Sequence, residues 1–365
     1  MKILYLITGL GGGGAEKVVV DLADRMFNLG HKVKIAYLKK PIVVSPNNQN
    51  IELIYIGLET VRDILSAYNN YKKLIEDFQP DVVHAHMVHA NIFARIVRKF
   101  TPIPKLICTA HSNNEGGRLR MLAYKLTHYQ AELTTNVSIA ASESFELLGA
   151  VPKDRIRTIY NGIDLDKFKF NPQAYESIRS NLDICSDAKL FLAVGRFHKA
   201  KDYLNLIKAF YLLIEQEGTF IHRPILIIAG DGEERAEIEA TIADYGLSED
   251  VKLLGRRDDI ADLMSAADFF VLSSAYEGFG LVVAEAMACE TFVVATDAGG
   301  VKEVMGGYGL LAPIKNSRLL AEQLSKAITM DEKIVKQNNL NALDYVKKNF
   351  DLDEITKQWL KIYAA

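Results

Sequence analysis

Short apolar runs and stretches of helical spacing alternate along this chain almost from its first residue. Lys2–Thr8 (KILYLIT) reads as a strand buried on both faces, because such strands show continuous apolar runs rather than alternation. It feeds the glycine loop GLGGGG and a helix that ends near Gly30. Lys34–Leu38 and Glu52–Ile56 read as strands, Val61–Phe78 as an amphipathic helix, and PDVVHAHM as a strand after the turn at Pro80. A helix with Arg95, Arg98 and Lys99 gathered at its end follows, an arrangement that the helix dipole favours. Lys105–Ala110 predicts a strand that stops at His111 and the polar loop SNNEGG. Arg118–Tyr129 is helical, Glu132–Val137 a strand, SIAASESFELLGA a helix and Ile156–Tyr160 a strand.

Between Asp166 and Ala188 the rhythm lapses, and that stretch is the expected linker. It resumes with the strand Lys189–Val194, the loop GRFHKAKDY and a helix. Then come PILIIAGDGEER, VKLLGRRDDI, the strand Asp268–Leu272, the loop SSAYEGFG, the helix Leu281–Ala288 and the strand TFVVAT. Helices at Ser317–Thr329 and Asp331–Asn349 precede a last helical stretch. Repeated strand–helix order predicts an α/β chain of doubly wound parallel sheets. Expected domains are 1–170 and 171–351, with 352–365 as a separate terminal helix.

Composition narrows the class. A length of 365 residues suits two domains, and 49% hydrophobic residues suffice for two cores. No apolar run reaches the length of a membrane span. The amino terminus lacks an A-x-A cleavage site and runs straight into the glycine loop, so it reads as a first strand. Three unpatterned cysteines suggest a reducing compartment and no metal cluster. From Met1 to Phe168 there are 21 Lys and Arg against 16 Asp and Glu, and the remainder holds 22 against 30. A basic first half points to an anionic partner there.

Candidate chemistry concentrates between Asp268 and Glu303. Glu277 and Glu285 lie eight residues apart across a loop-to-helix junction. Between them the amides of Gly278, Phe279, Gly280 and Leu281 open a helix, where free N–H groups hold anions. Amides for phosphate and separated carboxylates for hydroxyls suit a sugar nucleotide; a lone acid there would more often cap the helix. Arg196 and Lys201 flank the loop after the strand at 189–194, placed to neutralise a diphosphate leaving group. Gly9-x-Gly11-x-x-Gly14 satisfies the dinucleotide fingerprint, making an NAD(P)-binding oxidoreductase the rival. That rival needs an acid at the end of the second strand, which instead ends in Lys39-Lys40. His84, His86 and His89 raise a zinc site, but no acid or cysteine joins them at ligand spacing. His111 stands at the carboxyl end of a strand, where such folds place functional groups.

The run EGFGLVVAEA resembles the E-x7-E signature of retaining GT-B glycosyltransferases of the GT4 type. Gly13-Gly14-Ala15-Glu16-Lys17 resembles that family's G-G-A-E-K/R loop, Thr109-Ala110-His111 its T-x-H, and Val194–Lys201 its V-G-R-x-x-x-x-K. The matches run in order along essentially the whole chain. The resemblance implies two facing Rossmann-like domains with a cleft between them, the last helix crossing back onto the first. It implies Gly13 and Gly14 near the donor, Arg196 and Lys201 on the diphosphate, Glu277 on the sugar hydroxyls and Glu285 on the ribose. The amides of Gly278–Leu281 would serve the sugar and phosphate, Gly230 would line the donor site, and Arg256 would meet the base. His111 would stand beside donor sugar and acceptor, with His86 and Asn113 on the acceptor side. Expected activity is metal-free transfer with retention, moving a hexose from a nucleotide sugar, UDP-linked by preference, to a saccharide or lipid-linked acceptor. No cofactor and no nucleic acid are expected. The expected place is the cytoplasm, with anionic membrane as a partner at its inner face. A non-catalytic sugar-binding protein on the same scaffold is the other alternative.

Overall fold

A computed structural model describes residues 1–185, 187–215 and 223–365, which form two units: 1–162 with 352–365, and 163–351. The first runs β1 (Lys2–Leu10), α1 (Gly14–Asn28), β2 (Lys32–Ile42), β3 (Glu52–Tyr55), α2 (Ile64–Phe78), β4 (Val82–His86), α3 (Val88–Val97), β5 (Leu106–Ala110), α4 (Arg118–Thr127), β6 (Leu133–Asn136), α5 (Ile139–Leu147) and β7 (Ile156–Thr158). The second runs α6 (Pro172–Asn181), β8 (Leu190–Val194), α7 (Tyr203–Ile214), β9 (Ile225–Ala229), α8 (Arg235–Asp244), β10 (Val251–Gly255), α9 (Ile260–Ala266), β11 (Phe269–Leu272), α10 (Leu281–Ala288), β12 (Phe292–Thr296), α11 (Val301–Met305), β13 (Leu310–Ala312), α12 (Ser317–Thr329) and α13 (Glu332–Phe350). The final helix, α14 (Leu352–Ala364), belongs to the first unit.

Among the described residues the first sheet is ordered β3-β2-β1-β4-β5-β6-β7 and the second β10-β9-β8-β11-β12-β13, with every pairing parallel. Both orders step outward from a first strand and then reverse past it, the doubly wound pattern. The reversal falls between β1 and β4 in one sheet and between β8 and β11 in the other.

In the first unit, Tyr5, Ile7 and Ile35 pack with Ile355, Trp359 and Tyr363 of α14. Burying an indole of that size is worth about 2–3 kcal/mol. Lys105 Nζ donates to the carbonyls of Ile362 and Tyr363 at 3.0 and 3.1 Å, satisfying the carboxyl end of α14. His84 is wholly buried, its two ring nitrogens 2.6 Å from Tyr363 Oη and 2.6 Å from Thr109 Oγ1. Both nitrogens are thus engaged inside the core, so His84 is structural. Among the described residues no group of three His, Cys, Asp or Glu could hold a metal ion.

Several sequence expectations need correction. The division falls at Gly162/Ile163, ahead of residue 170, because Ile163 N–H donates to the Phe350 carbonyl at 2.7 Å. The expected linker holds α6, docked by Arg179; Ser186 within that stretch lies outside the described residues. The Arg179 guanidinium reaches Asp268 Oδ2 at 2.5 Å and the Ala188 carbonyl at 2.9 Å, joining α6 to β11. Arg95 lies in the last turn of α3, as expected, but fully buried, donating to Thr134 Oγ1 at 2.7 Å and lying over the Tyr124 ring at 5.0 Å. An acid does reach the end of β2, since Glu59 accepts the Lys40 N–H at 2.9 Å and the Tyr55 hydroxyl at 2.8 Å. It comes from the loop after β3, a neighbour that spacing along the sequence does not reveal.

Candidate functional site

Open parallel sheets hold ligands at the carboxyl ends of their strands, at the point where strand order reverses. In the second unit that point lies between the loops after β8 and β11. Lys201 stands in the first loop and Glu277 in the second, and Lys201 Nζ lies 2.5 Å from Glu277 Oε1. Their side chains are 21% and 14% exposed. Ser274 Oγ donates to the same carboxylate oxygen at 2.8 Å. The loops are pinned to each other: Ser273 Oγ donates to the Lys201 carbonyl at 2.8 Å, and Ala275 N–H to the Ala200 carbonyl at 2.8 Å. Thr296 Oγ1 on β12 holds the Ser274 carbonyl at 2.6 Å. A cation and a carboxylate are therefore fixed at the reversal point by backbone and hydroxyl bonds.

Glycine makes this approach possible. A Cβ on Gly230, at φ +155°, would lie 1.9 Å from the Gly195 carbonyl oxygen. One on Gly195 would lie 3.0 Å from Lys201 Cε. The ends of β8 and β9 thus close on each other only without side chains, and the Lys201 stem crosses the space that results.

Arg196 is not part of that pair. It is 63% exposed and its Nη2 lies 3.0 Å from Glu233 Oε2, with His198 Nε2 3.7 Å from Glu233 Oε1. Arg256 is exposed just beyond β10. Gly280 has φ +94° and precedes α10, and no side chain caps that helix. Phe279 is buried edge-on to Phe350 at 5.3 Å, so it can offer a ligand only its backbone. Glu285 is buried on the inner side of α10.

In the first unit the reversal point carries the glycine loop after β1, with Gly13 extended (φ −98°) at the start of α1 and Gly14 as its first residue. A Cβ on Gly13 would meet Glu16 Oε2 at 2.7 Å, so the Glu16 carboxylate folds over the loop. His86 ends β4, and its Nδ1 lies 3.0 Å from His111 Nε2, after β5. Burial pushes His111 down to about 4, and burial with the neighbouring His84 and His111 holds His86 well below the usual imidazole range. Both rings are therefore neutral at pH 7. Asn113 gives its carbonyl to Ser144 Oγ at 2.7 Å.

Three residues of these sites went unnoticed in the sequence. Ser274 and Glu233 stand in the runs SSAYE and GDGEER, where turn residues conceal any role. Glu115, the one acid of the SNNEGG loop, is buried and accepts the His111 N–H at 2.9 Å. Desolvation raises its carboxyl to about 7, against the lowering effect of hydrogen bonds from His111, Val88 and Tyr124.

Comparison with known proteins accords with this geometry. Residues 12–167 match the family "Glycosyltransferase Family 4", and residues 175–342 match "Glycosyl transferases group 1". A Campylobacter jejuni relative is 28% identical over 99% of this chain and 98% of its own length. Its name is N-acetylgalactosamine-N,N'-diacetylbacillosaminyl-diphospho-undecaprenol 4-alpha-N-acetylgalactosaminyltransferase. N-acetyl-alpha-D-glucosaminyl L-malate synthase of Bacillus anthracis is 28% identical over 96% of this chain and 93% of its own. The crystal structure of Anabaena HepE with UDP and glucose superposes with a TM-score of 0.86 and 23% identity, covering 100% of this chain and 99% of that one. The fold is that of GT-B glycosyltransferases. The oxidoreductase reading of the glycine loop falls with these matches.

Proposed function

Since the chain is a glycosyltransferase made of a family 4 domain and a group 1 domain, we propose that it transfers a hexose from a UDP-linked donor to a lipid-linked saccharide. Transfer is with retention and without a divalent metal, in the assembly of a surface polysaccharide, lipopolysaccharide or other glycan at the inner face of a membrane. The observation that carries this reading is the Lys201–Glu277 ion pair at the reversal point of the second sheet.

Each partner has work to do there. Lys201 supplies fixed positive charge to the diphosphate as the glycosidic bond breaks, and Arg196 adds a planar donor once it leaves Glu233. Metal independence rests on these two cations. Lys201 and Ser274 both occupy Oε1 of Glu277, which leaves Oε2 to accept from the donor sugar hydroxyls. Glu285 takes the ribose, the amides of Gly278–Leu281 take the sugar and phosphate, Gly230 lines the diphosphate site, and Arg256 meets the base. Glycine at 13 and 14 admits the donor, while His111, His86 and Asn113 serve the acceptor. A neutral imidazole at His111 can donate or accept a hydrogen bond beside the reacting centre without repelling a developing oxocarbenium ion. A UDP-bound structural neighbour and a relative named for a diphospho-undecaprenol acceptor support the choice of donor and acceptor.

A thermal-shift screen of nucleoside diphosphates and their sugars, run with EDTA, tests the donor side. A ligand that binds only the native state raises the melting temperature by mass action. Stabilisation by UDP and one UDP-hexose in the chelator is the expected result. Stabilisation only when a divalent cation is restored would overturn the metal-free reading.

A further inference from the structure

The histidine pair of the first unit has protons to place, and its surroundings decide where. Both rings are neutral at pH 7, so they hold two protons among four nitrogens. His86 Nδ1 and His111 Nε2 stand 3.0 Å apart, a hydrogen bond that needs one N–H and one lone pair. Two arrangements satisfy it. In the first, His86 donates from Nδ1, which leaves a bare lone pair on His86 Nε2 and a proton on His111 Nδ1. In the second, His111 donates from Nε2, which leaves an N–H on His86 Nε2 and a lone pair on His111 Nδ1.

His86 Nε2 separates the two. His86 is 1% exposed, and its Nε2 meets no hydrogen-bond partner among the described residues. The His84 ring, its centroid 3.9 Å from that of His86, has both nitrogens engaged by Tyr363 and Thr109. The Thr109 hydroxyl is itself taken up by His84 and Thr135. Val18, Leu22, Ile355 and Trp359 are among the side chains around the narrow cavity beside His86. Folded proteins tolerate an under-used buried acceptor better than an orphaned N–H, so the lone pair belongs on Nε2. We propose that His86 is a positioning residue: its Nδ1–H donates to His111 Nε2 and holds His111 in the Nδ1–H form, ready to donate to a substrate oxygen. That nitrogen is kept for a ligand, since the His111 ring makes no other hydrogen bond among the described residues and His111 is partly exposed. Glu115 fixes the main chain as well, accepting the His111 N–H at 2.9 Å. The group so selected is a hydroxyl, ether or carbonyl oxygen, not an ammonium or an amide N–H. The proposal deepens the transferase reading above, which puts His111 beside the reacting sugar and the acceptor.

Long-range proton–nitrogen correlation spectra of protein carrying isotope-labelled histidine test it, because protonated and bare ring nitrogens resonate far apart. His86→Asn and His111→Gln assign the signals. In the wild type at pH 7, both rings are expected to carry their proton on Nδ1; a proton on Nε2 of His111 overturns the proposal. His86→Asn keeps an N–H in place of Nδ1–H, so His111 should stay in the Nδ1–H form. His86→Leu removes the donor and frees His111 to take either form, so its signals should move; signals that stay put overturn the lock. Turnover is read as UDP release from the UDP-hexose that stabilises the protein. There His86→Leu should lower kcat by about 10–100-fold, the range for removing a partner that orients a functional histidine, and His86→Asn by less than about fivefold. Equal losses in the two variants would make His86 merely structural, and full turnover in His86→Leu would leave the lock without a use; either result overturns the role. Melting temperature and the UDP-induced shift show whether each variant is folded, and if His86→Leu is not, the wild-type and His86→Asn spectra still decide. The spectra do not depend on turnover, so the proton can stand where it is proposed while the transferase reading fails, and the reverse.

Discussion

Replacing Lys201 by Met keeps the aliphatic stem over Gly195 and removes the charge. Two separable losses should follow. The first is stability, because Glu277 would keep only the Ser274 hydroxyl bond at 2.8 Å while its side chain remains 14% exposed. Breaking a fully buried ion pair costs about 3–5 kcal/mol. Partial exposure and the surviving hydrogen bond reduce that here to about 1–2 kcal/mol. For a unit of this size each kcal/mol moves the melting temperature by about 2–4 °C, so a fall of about 2–8 °C is expected. The second loss is catalytic, since removing one preorganised donor to developing charge lowers kcat by about 10²–10³. The assay is the initial rate of nucleoside diphosphate release, with kcat and KM for the donor determined separately. Pairing the change with Glu277→Gln removes both charges, and the double variant should recover most of the stability that Lys201→Met loses. Turnover within about threefold of wild type would refute the role of Lys201 at the diphosphate. A double variant no more stable than Lys201→Met would refute the ion-pair account of its position.

Other substitutions probe the remaining parts. Glu285→Gln should raise the donor KM more than it lowers kcat, and an unchanged KM would count against the ribose contact. Gly230→Ala sets a Cβ 1.9 Å from the Gly195 carbonyl, so it should cost about 3 kcal/mol or more in a denaturant titration; a near-neutral result would mean the β8–β9 approach is wrongly described. Glu115 is raised to about 7 in the folded protein against about 4.3 in an unfolded chain, so the folded state holds the extra proton between those values. Its contribution is full below pH 4 and is lost as pH rises towards 7, on the order of 3 kcal/mol in all. Glu115→Gln should flatten that part of the stability profile, and a parallel slope in the variant would show that another group carries it.

Where the chain repeats a local rule, the sequence was readable. Parallel strands covered on both faces leave apolar runs such as FLAV and FVVAT, and these mark β8 and β12 to within a residue or two. The loops that end such strands stand out by their glycines, so Lys201, Glu277 and the amides before α10 could be singled out one by one. Pairing is another matter. Lys201 and Glu277 are 76 positions apart, and Arg196 and Glu233 are 37 apart. No spacing rule predicts which cation meets which acid, because that depends on which strands are neighbours in the sheet. The burial of Arg95 is hidden for a related reason: three cations at a helix end look alike in sequence, and only the placing of Tyr124 and Thr134 decides which one is buried.

The two cations proposed to meet the diphosphate therefore arrive in unequal states. Lys201 is held at one-fifth exposure between two pinned loops, whereas Arg196 is nearly two-thirds exposed on an acid that is itself half exposed. An exposed pair of that kind contributes only about 0–1 kcal/mol, so a diphosphate can draw Arg196 from Glu233 at little cost. Lys201 has no such freedom, and it need not move, because Glu277 already holds its charge at the reversal point. The fixed cation is thus suited to stabilising the leaving group, and the exposed one to capturing the donor and releasing the product. That division predicts that Arg196→Ala raises the donor KM more than Lys201→Met does, while Lys201→Met lowers kcat more. A reversed pattern in the same release assay would exchange their roles.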